Sequence, residues 1–202
     1  LLTGARSPQV AHAAGPWYVA PGGSDGNNCL SPATPCATIN GAIGKASSGD
    51  TVNVAVGTYT SSGSQVVLVN KSVTLSGGWD TDFTAQTGMS ALDGQGARRG
   101  VNVESGVNAL VERFKVQNGY AQDGGGIYNS GNLTLSNATV SGNTVNAQSG
   151  YAANGAGIYT LGNLTLNAST ISGNTNLAYY GYGGGLTTGY NNRVELNNST
   201  IS

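Results

Sequence analysis

The segment GIYNSGNLTLSNATVSGNTV at residues 126–145 returns 31 positions later, at 157–176, as GIYTLGNLTLNASTISGNTN, with 13 of the 20 positions identical. A copy at fixed period, with short apolar alternations, Gly-Asn corners and no helical period, specifies a stacked β-solenoid. The copy extends in both directions. Residues 185–202 (GLTTGYNNRVELNNSTIS) fit the same template, with two extra residues before Val194. Residues 100–119 (GVNVESGVNALVERFKVQNG) form a degenerate fourth copy. There Val101 takes the place of Ile127, Ala109 and Val111 of Leu133 and Leu135, and Phe114 and Val116 of Ala138 and Val140.

Each unit reads as three short strands: one centred on Ile127, one holding Leu133 and Leu135, and one holding Ala138 and Val140. Alternate residues face opposite sides of a strand, so these side chains point inward while Thr134, Ser136 and Thr139 point outward. Gly and Asn supply the backbone angles that the bends demand. One unit then makes one coil, and parallel pairing stacks the coils about 4.8 Å apart. Leu133 is expected against Leu164, Leu135 against Leu166, and Val140 against Ile171. Asn143 and Asn174 occupy equivalent corners and are expected to form an amide ladder along the axis.

Composition bounds the partners. The 202 residues read as one domain, of which only 8% are charged, with net charge −1. Asn, Thr and Ser carry the solvation that charges usually carry. Arg98 and Arg99 are the one adjacent basic pair, which argues against nucleic acid. No apolar run approaches the roughly 20 residues of a membrane-spanning helix. Ala11-His12-Ala13 fits a small-x-small signal-peptidase site, so residues 1–16 read as a leader remnant or an N-terminal arm, and export is expected. Cys29 and Cys36, with six residues and two prolines between them, suit one disulfide; the alternative is a pair of reduced thiols.

Residues 17–60 read as an N-terminal cap and first coil, and 61–202 as the remaining coils. Trp17–Ala20 is a first strand. Ala37, Ile39, Ala42, Ile43 and Ala46 then recur at helical spacing over about ten residues, with Thr34-Pro35 as cap and first-turn proline. This helix is placed to lie across the exposed first coil. Val52, Val54 and Val56 alternate as a strand, and 66–69 and 73–75 continue the wall. Residues 77–96 are the least repetitive stretch and read as a lateral loop re-entering the stack near Ala91 and Leu92.

The opening YVAPGGSDGNN…LSPATPCATINGAI…GDTVNVAVGTY resembles the N-terminal region of bacterial right-handed parallel β-helix proteins of the pectin-lyase-like superfamily. The GGGIYNSGNLTLSNATVSGNT units are similar to repeats of secreted and surface β-helix proteins, including polymorphic outer-membrane proteins. The resemblance covers nearly all of residues 17–202 and implies a right-handed coil. It is specific for fold and not for activity, because the superfamily holds lyases, hydrolases, adhesins and passenger domains. Its lyases typically use calcium-binding carboxylates beside a basic residue, and its hydrolases use clustered aspartates.

His12 is the one histidine, which removes histidine-dependent triads and metal sites from the repeat body. Asp80, Asp82 and Asp93, with Arg98 and Arg99 nearby, form the one acidic group worth weighing. Folded together they could bind Ca²⁺ and face a uronate; the plainer reading has Asp80 and Asp93 capping turns. Tyr128 and Tyr159 are equivalent outward positions, and Tyr179, Tyr180, Tyr182 and Tyr190 crowd one corner. Such tyrosines either stack on sugars or simply cover the wall. Seven Asn-x-Ser/Thr sequons (Asn70, Asn132, Asn137, Asn163, Asn167, Asn197, Asn198) follow from composition.

The sequence therefore predicts an all-β fold, a right-handed parallel β-helix of about five coils with a short N-terminal capping helix. No residue is assigned a catalytic or metal-binding role, and no cofactor is implied. The expected role is a non-enzymatic structural or adhesive element, secreted or at the cell surface. The alternatives are a polysaccharide lyase or glycoside hydrolase working at residues 77–96, and a sugar-binding module on the tyrosine wall. The last copy is expected to be truncated or open, with Leu186, Val194, Leu196 and Ile201 at its face. That end suits either a longer parent chain or end-to-end self-association into filaments.

Overall fold

The computed structural model describes residues 15–147 and 151–202. Residues 1–14 of the expected leader or arm, with its Ala11-His12-Ala13 site, lie outside them.

Three parallel sheets form the walls of a β-helix. The first wall has seven rungs: Trp17–Val19, Thr51–Ala55, Thr74–Trp79, Asn108–Glu112, Asn132–Ser136, Asn163–Asn167 and Val194–Asn197. The second has six: Thr58–Tyr59, Ser90–Asp93, Phe114–Gln117, Thr139–Ser141, Thr170–Ser172 and Thr200–Ile201. The third has five: Gln65–Val69, Arg99–Val103, Ile127–Asn129, Ile158–Thr160 and Leu186–Thr188. Read in chain order, these make five complete circuits. Leu133 pairs with Leu164 and Leu135 with Leu166 on the first wall, and Val140 with Ile171 on the second. Ile127 lies between Val101 and Ile158 on the third.

Equivalent positions stacked at rung spacing make one hydrophobic core, running from Trp17 to Ile171 with Phe114, Leu75, Leu92, Leu135 and Leu166 fully buried. Among the described residues, Ser90, Asn129, Asn143, Thr160 and Ser169 are polar side chains that are also buried, and Ser76 is buried on the outer face of the first wall, bonded to Glu112, Trp79 and Gln86. Among the described residues every buried polar side-chain atom has a hydrogen-bond partner, as a close-packed interior requires.

The corner between the first and second walls departs from the simple Gly/Asn rule. Arg113, Asn137, Ala168 and Asn198 hold it in successive coils with φ between 46° and 57°. Asn tolerates that left-handed region, whereas Arg and Ala rarely enter it. Stacking imposes it. Each of the first three corner N–H groups donates to a carbonyl of the next coil: Arg113 to Ser136, Asn137 to Asn167, and Ala168 to Asn197.

The N-terminal end is closed twice. The loop carrying Cys29 and Cys36 lines the free edge of Trp17–Val19: Tyr18 donates to the Cys29 carbonyl, and Cys36 donates to the Tyr18 carbonyl. The two cysteines are bonded to each other. The helix, Ile39–Lys45, buries Ile39, Ala42 and Ile43 and closes the edge of the third wall. There the Asn40 amide replaces a missing strand, donating to Val66 O at 3.0 Å and accepting from Leu68 N at 2.9 Å.

Two sequence expectations need correction here. The helix has seven residues, and its N-cap is Thr38, whose hydroxyl accepts from Gly41 N; Thr34 and Pro35 belong to the disulfide loop. Asp25 orders that start by accepting from Ala37 N, Thr38 N and the Thr38 hydroxyl. The lateral loop is also shorter than 77–96. Gly77, Gly78 and Trp79 complete a first-wall strand, with a register shift opposite Asn53 and Ala55 where Gly78 adopts φ 79°. The chain leaves only after Trp79 and returns at Ser90.

Between the second and third walls the later coils carry an outgrowth. Tyr120–Ala121, Thr144–Val145 and Thr175–Asn176 form a three-stranded sheet, and Ala152–Asn154 pairs with Tyr180–Tyr182. A small separate core of Val145, Ala153 and Ala156 fixes this ridge.

Candidate functional site

Two places invite a chemical reading: the acidic loop and the tyrosine-lined side of the third wall. In the loop, Asp80 folds the chain back on itself, accepting from Thr84 N, the Thr84 hydroxyl and Ala85 N. The hydrogen bonds from Thr84 hold its carboxyl below the usual Asp range. Asp93 accepts from Gln95 N, Gln117 Nε2 and Asn118 Nδ2. Partial burial pushes the Asp93 carboxyl up, but these bonds and the Lys115 charge outweigh it and hold the group low. Both are permanent anions at neutral pH; Asp80 serves its own turn, Asp93 joins its turn to the next coil, and Asp82 is exposed. The described residues contain no group of three or more His, Cys, Asp and Glu side chains suited to a metal ion. The arginines go elsewhere: Arg98 donates to Gly63 O and Gln95 Oε1, and Arg99 to the carbonyls of Asp123 and Gly124.

The interior corner holds an amide pair. Asn143 Nδ2 donates to Asn174 Oδ1 at 2.9 Å, and also to the Val116 and Ser141 carbonyls, while its Oδ1 accepts from Gly119 N. Asn174 Nδ2 in turn donates to Val140 O. A second, exposed ladder runs through Asn108, Asn132 and Asn163, each amide donating to the one before it at 2.8 Å. Sequence reasoning passed over this ladder, although Asn132 and Asn163 hold the same place in the repeat.

The tyrosines do assemble. Tyr128 and Tyr159 are Cα partners on the outer face of the third wall, with ring centroids 5.6 Å apart and edge to face. The half-buried Arg99 guanidinium lies 4.9 Å from the Tyr128 centroid, capping the row by a cation–π contact. Thr187 continues the row beyond Tyr159. Beside it rises the ridge strand Ala152–Asn154 with its partner Tyr180–Tyr182, whose rings reach outward. Gly155 makes the step from ridge to wall at φ 54°, where a Cβ would collide with the Ile158 carbonyl.

Row and ridge enclose a cleft of about 650 Å³ lined by Asn154, Tyr159, Tyr182, Thr187, Thr188 and Tyr190, with Leu161 at its rim. Tyr182 is 62% and Tyr190 98% exposed. Asp123 accepts from both the backbone N–H and the side-chain amide of Asn154, which fixes that amide's orientation. Thr187 donates to Tyr182 O and ties wall to ridge. Burial, then the nearby Asp123 charge and Tyr128, push the Tyr159 hydroxyl up, so it stays protonated and able to donate. Tyr179, which the sequence grouped with these residues, packs on Tyr180 at 4.9 Å on the ridge and does not line the cleft.

No helix among the described residues is long and apolar enough to cross a membrane. No protein-family model matches this chain, and no curated protein or solved structure is significantly similar to it.

Proposed function

We propose that the chain is a non-catalytic structural and adhesive β-helix of a secreted or cell-surface protein, right-handed and related to the pectin-lyase-like proteins it resembles. The observation that carries this reading is the engagement of the candidate acids. Asp80 is bound by three donors of its own turn, Asp93 by one donor of its turn and two side-chain amides of the next coil, and both are held ionised. A general acid needs a raised pKa, and a calcium site needs converging carboxylates. The Cys29–Cys36 bond supports an oxidising compartment. A satisfied interior and repeated amide ladders suit a structural role rather than turnover. Leu196 and Ile201 are exposed on the last described rungs, and a further coil or a second copy stacked end to end would cover them.

The test is activity on polygalacturonate and alginate, with and without Ca²⁺. The expected result is no bond cleavage above buffer. Cleavage that disappears in Asp80→Ala or Asp93→Ala would overturn the reading in favour of the enzyme.

A further inference from the structure

We infer that the cleft between the outer tyrosine row and the ridge binds a neutral glycan chain, with Tyr159, Tyr182 and Tyr190 as stacking platforms. This rests on the adhesive reading and supplies what it lacks, a ligand. Three features converge on that chemistry. The cleft is concave, and its volume of about 650 Å³ falls within the usual range for ligand sites. Its rings alternate with an amide and two threonines, which suits a pyranose: C–H groups on the ring faces lie against aromatic faces, and hydroxyls at the ring edge meet Asn154, Thr187 and Thr188. Finally, its lining residues are all uncharged, and the nearest charge in its hydrogen-bond network is the anion of Asp123, behind Asn154.

That charge pattern decides between sugars. A uronate would enter a cleft with no cation on its wall and an aspartate behind it, and its carboxylate would lose hydration without gaining a partner. A neutral chain loses nothing comparable. The amide of Asn154 is oriented to receive a hydroxyl. Its Nδ2 is directed to Asp123, leaving Oδ1 to accept from the sugar. The protonated Tyr159 hydroxyl offers a donor. A ligand also explains why Tyr190 and Tyr182 stand in solvent instead of covering the wall, as Tyr128 and Tyr159 partly do.

The experiment is calorimetric titration of the whole chain with xylohexaose, cellohexaose and laminarihexaose, with trigalacturonate as the charged counterpart. Saturable binding of at least one neutral hexasaccharide is expected, with trigalacturonate binding at least tenfold weaker. Loss of one platform in Tyr182→Ala or Tyr190→Ala should weaken binding about three- to tenfold. Tyr190→Phe should retain it, and Tyr120→Ala, outside the cleft, should leave it unchanged. Should an alanine variant fail to fold, amide shifts of the unaltered protein on titration serve instead, with the largest expected at Asn154, Thr187 and Thr188. No saturable binding of the three neutral probes at millimolar concentration would overturn the proposal, as would equal binding of trigalacturonate. So would self-association of the chain that the same tyrosine substitutions abolish, because a second copy would then be the occupant. Cleavage of a bound hexasaccharide would instead overturn the non-catalytic reading and leave the cleft standing.

Discussion

Asn143 does at one residue what the fold needs at every corner. Its amide makes three donor contacts and one acceptor contact at a fully buried position inside the stack. Replacing it with alanine leaves Gly119 N–H and the Val116 carbonyl without that partner, and Asn143→Ala should cost about 2 to 4 kcal/mol in urea unfolding. A loss near zero would mean that the corner repacks. Asp93 adds a pH dependence. Its folded carboxyl lies below the unfolded value, so it binds its proton less readily when folded. Its stabilisation is complete above about pH 4 and is lost as pH falls through the depressed folded value. Asp93→Asn should therefore be less stable at neutral pH and show a flatter acid limb in melts from pH 6 to pH 2; an unchanged acid limb would contradict this. The pairings of Leu133, Leu135 and Val140 with their copies were legible in the sequence because a period-2 pattern repeated at fixed spacing fixes both face and register. The left-handed corners at Arg113 and Ala168 were not, because they answer to a carbonyl in the next coil and not to local preference.

At the scale of elements, both N-terminal caps do the same work: they satisfy edge groups that would otherwise template another strand. The disulfide fastens one of them. Its short loop predicts a modest contribution, about 2.5 kcal/mol by loop-closure entropy, measurable as the stability lost in Cys29→Ser with Cys36→Ser. A loss of less than about 0.5 kcal/mol would place the holding force in the Tyr18 backbone bonds instead. The helix was visible from Ala37, Ile39, Ala42, Ile43 and Ala46, but its cap was misplaced. Thr38 and Asp25 are separated by a loop whose path only the fold reveals, whereas Thr34-Pro35 carries the familiar local signature. The loop after Trp79 was overestimated for a related reason: Gly77 and Gly78 read as a break, yet they form a bulge that keeps the strand on the wall. At the cleft, the tyrosines could be paired by repeat position, but the ridge that makes their surface concave comes from segments where the copies differ.

The whole molecule follows from repetition. Each coil contacts its neighbours through the same three walls, so stability should be close to a sum of units and interfaces. Gly126 and Gly157 are equivalent entries to the third wall, each N–H donating to the coil beyond: Gly126 to Ala156 O and Gly157 to Gly184 O. A chain in which Gly125 is joined directly to Gly157 thus lacks one whole coil while every wall remains continuous. Leu164 would then stack on Ala109 and Ile158 on Val101, as Leu133 and Ile127 do now. The decisive measurement is circular dichroism during thermal unfolding of this excised chain. Interchangeable coils predict a cooperative transition from an undiminished β signal per residue, with the midpoint lowered by several degrees. A chain without a β signal or a cooperative transition would contradict that, because a fold that cannot lose one interior unit is not built from interchangeable coils.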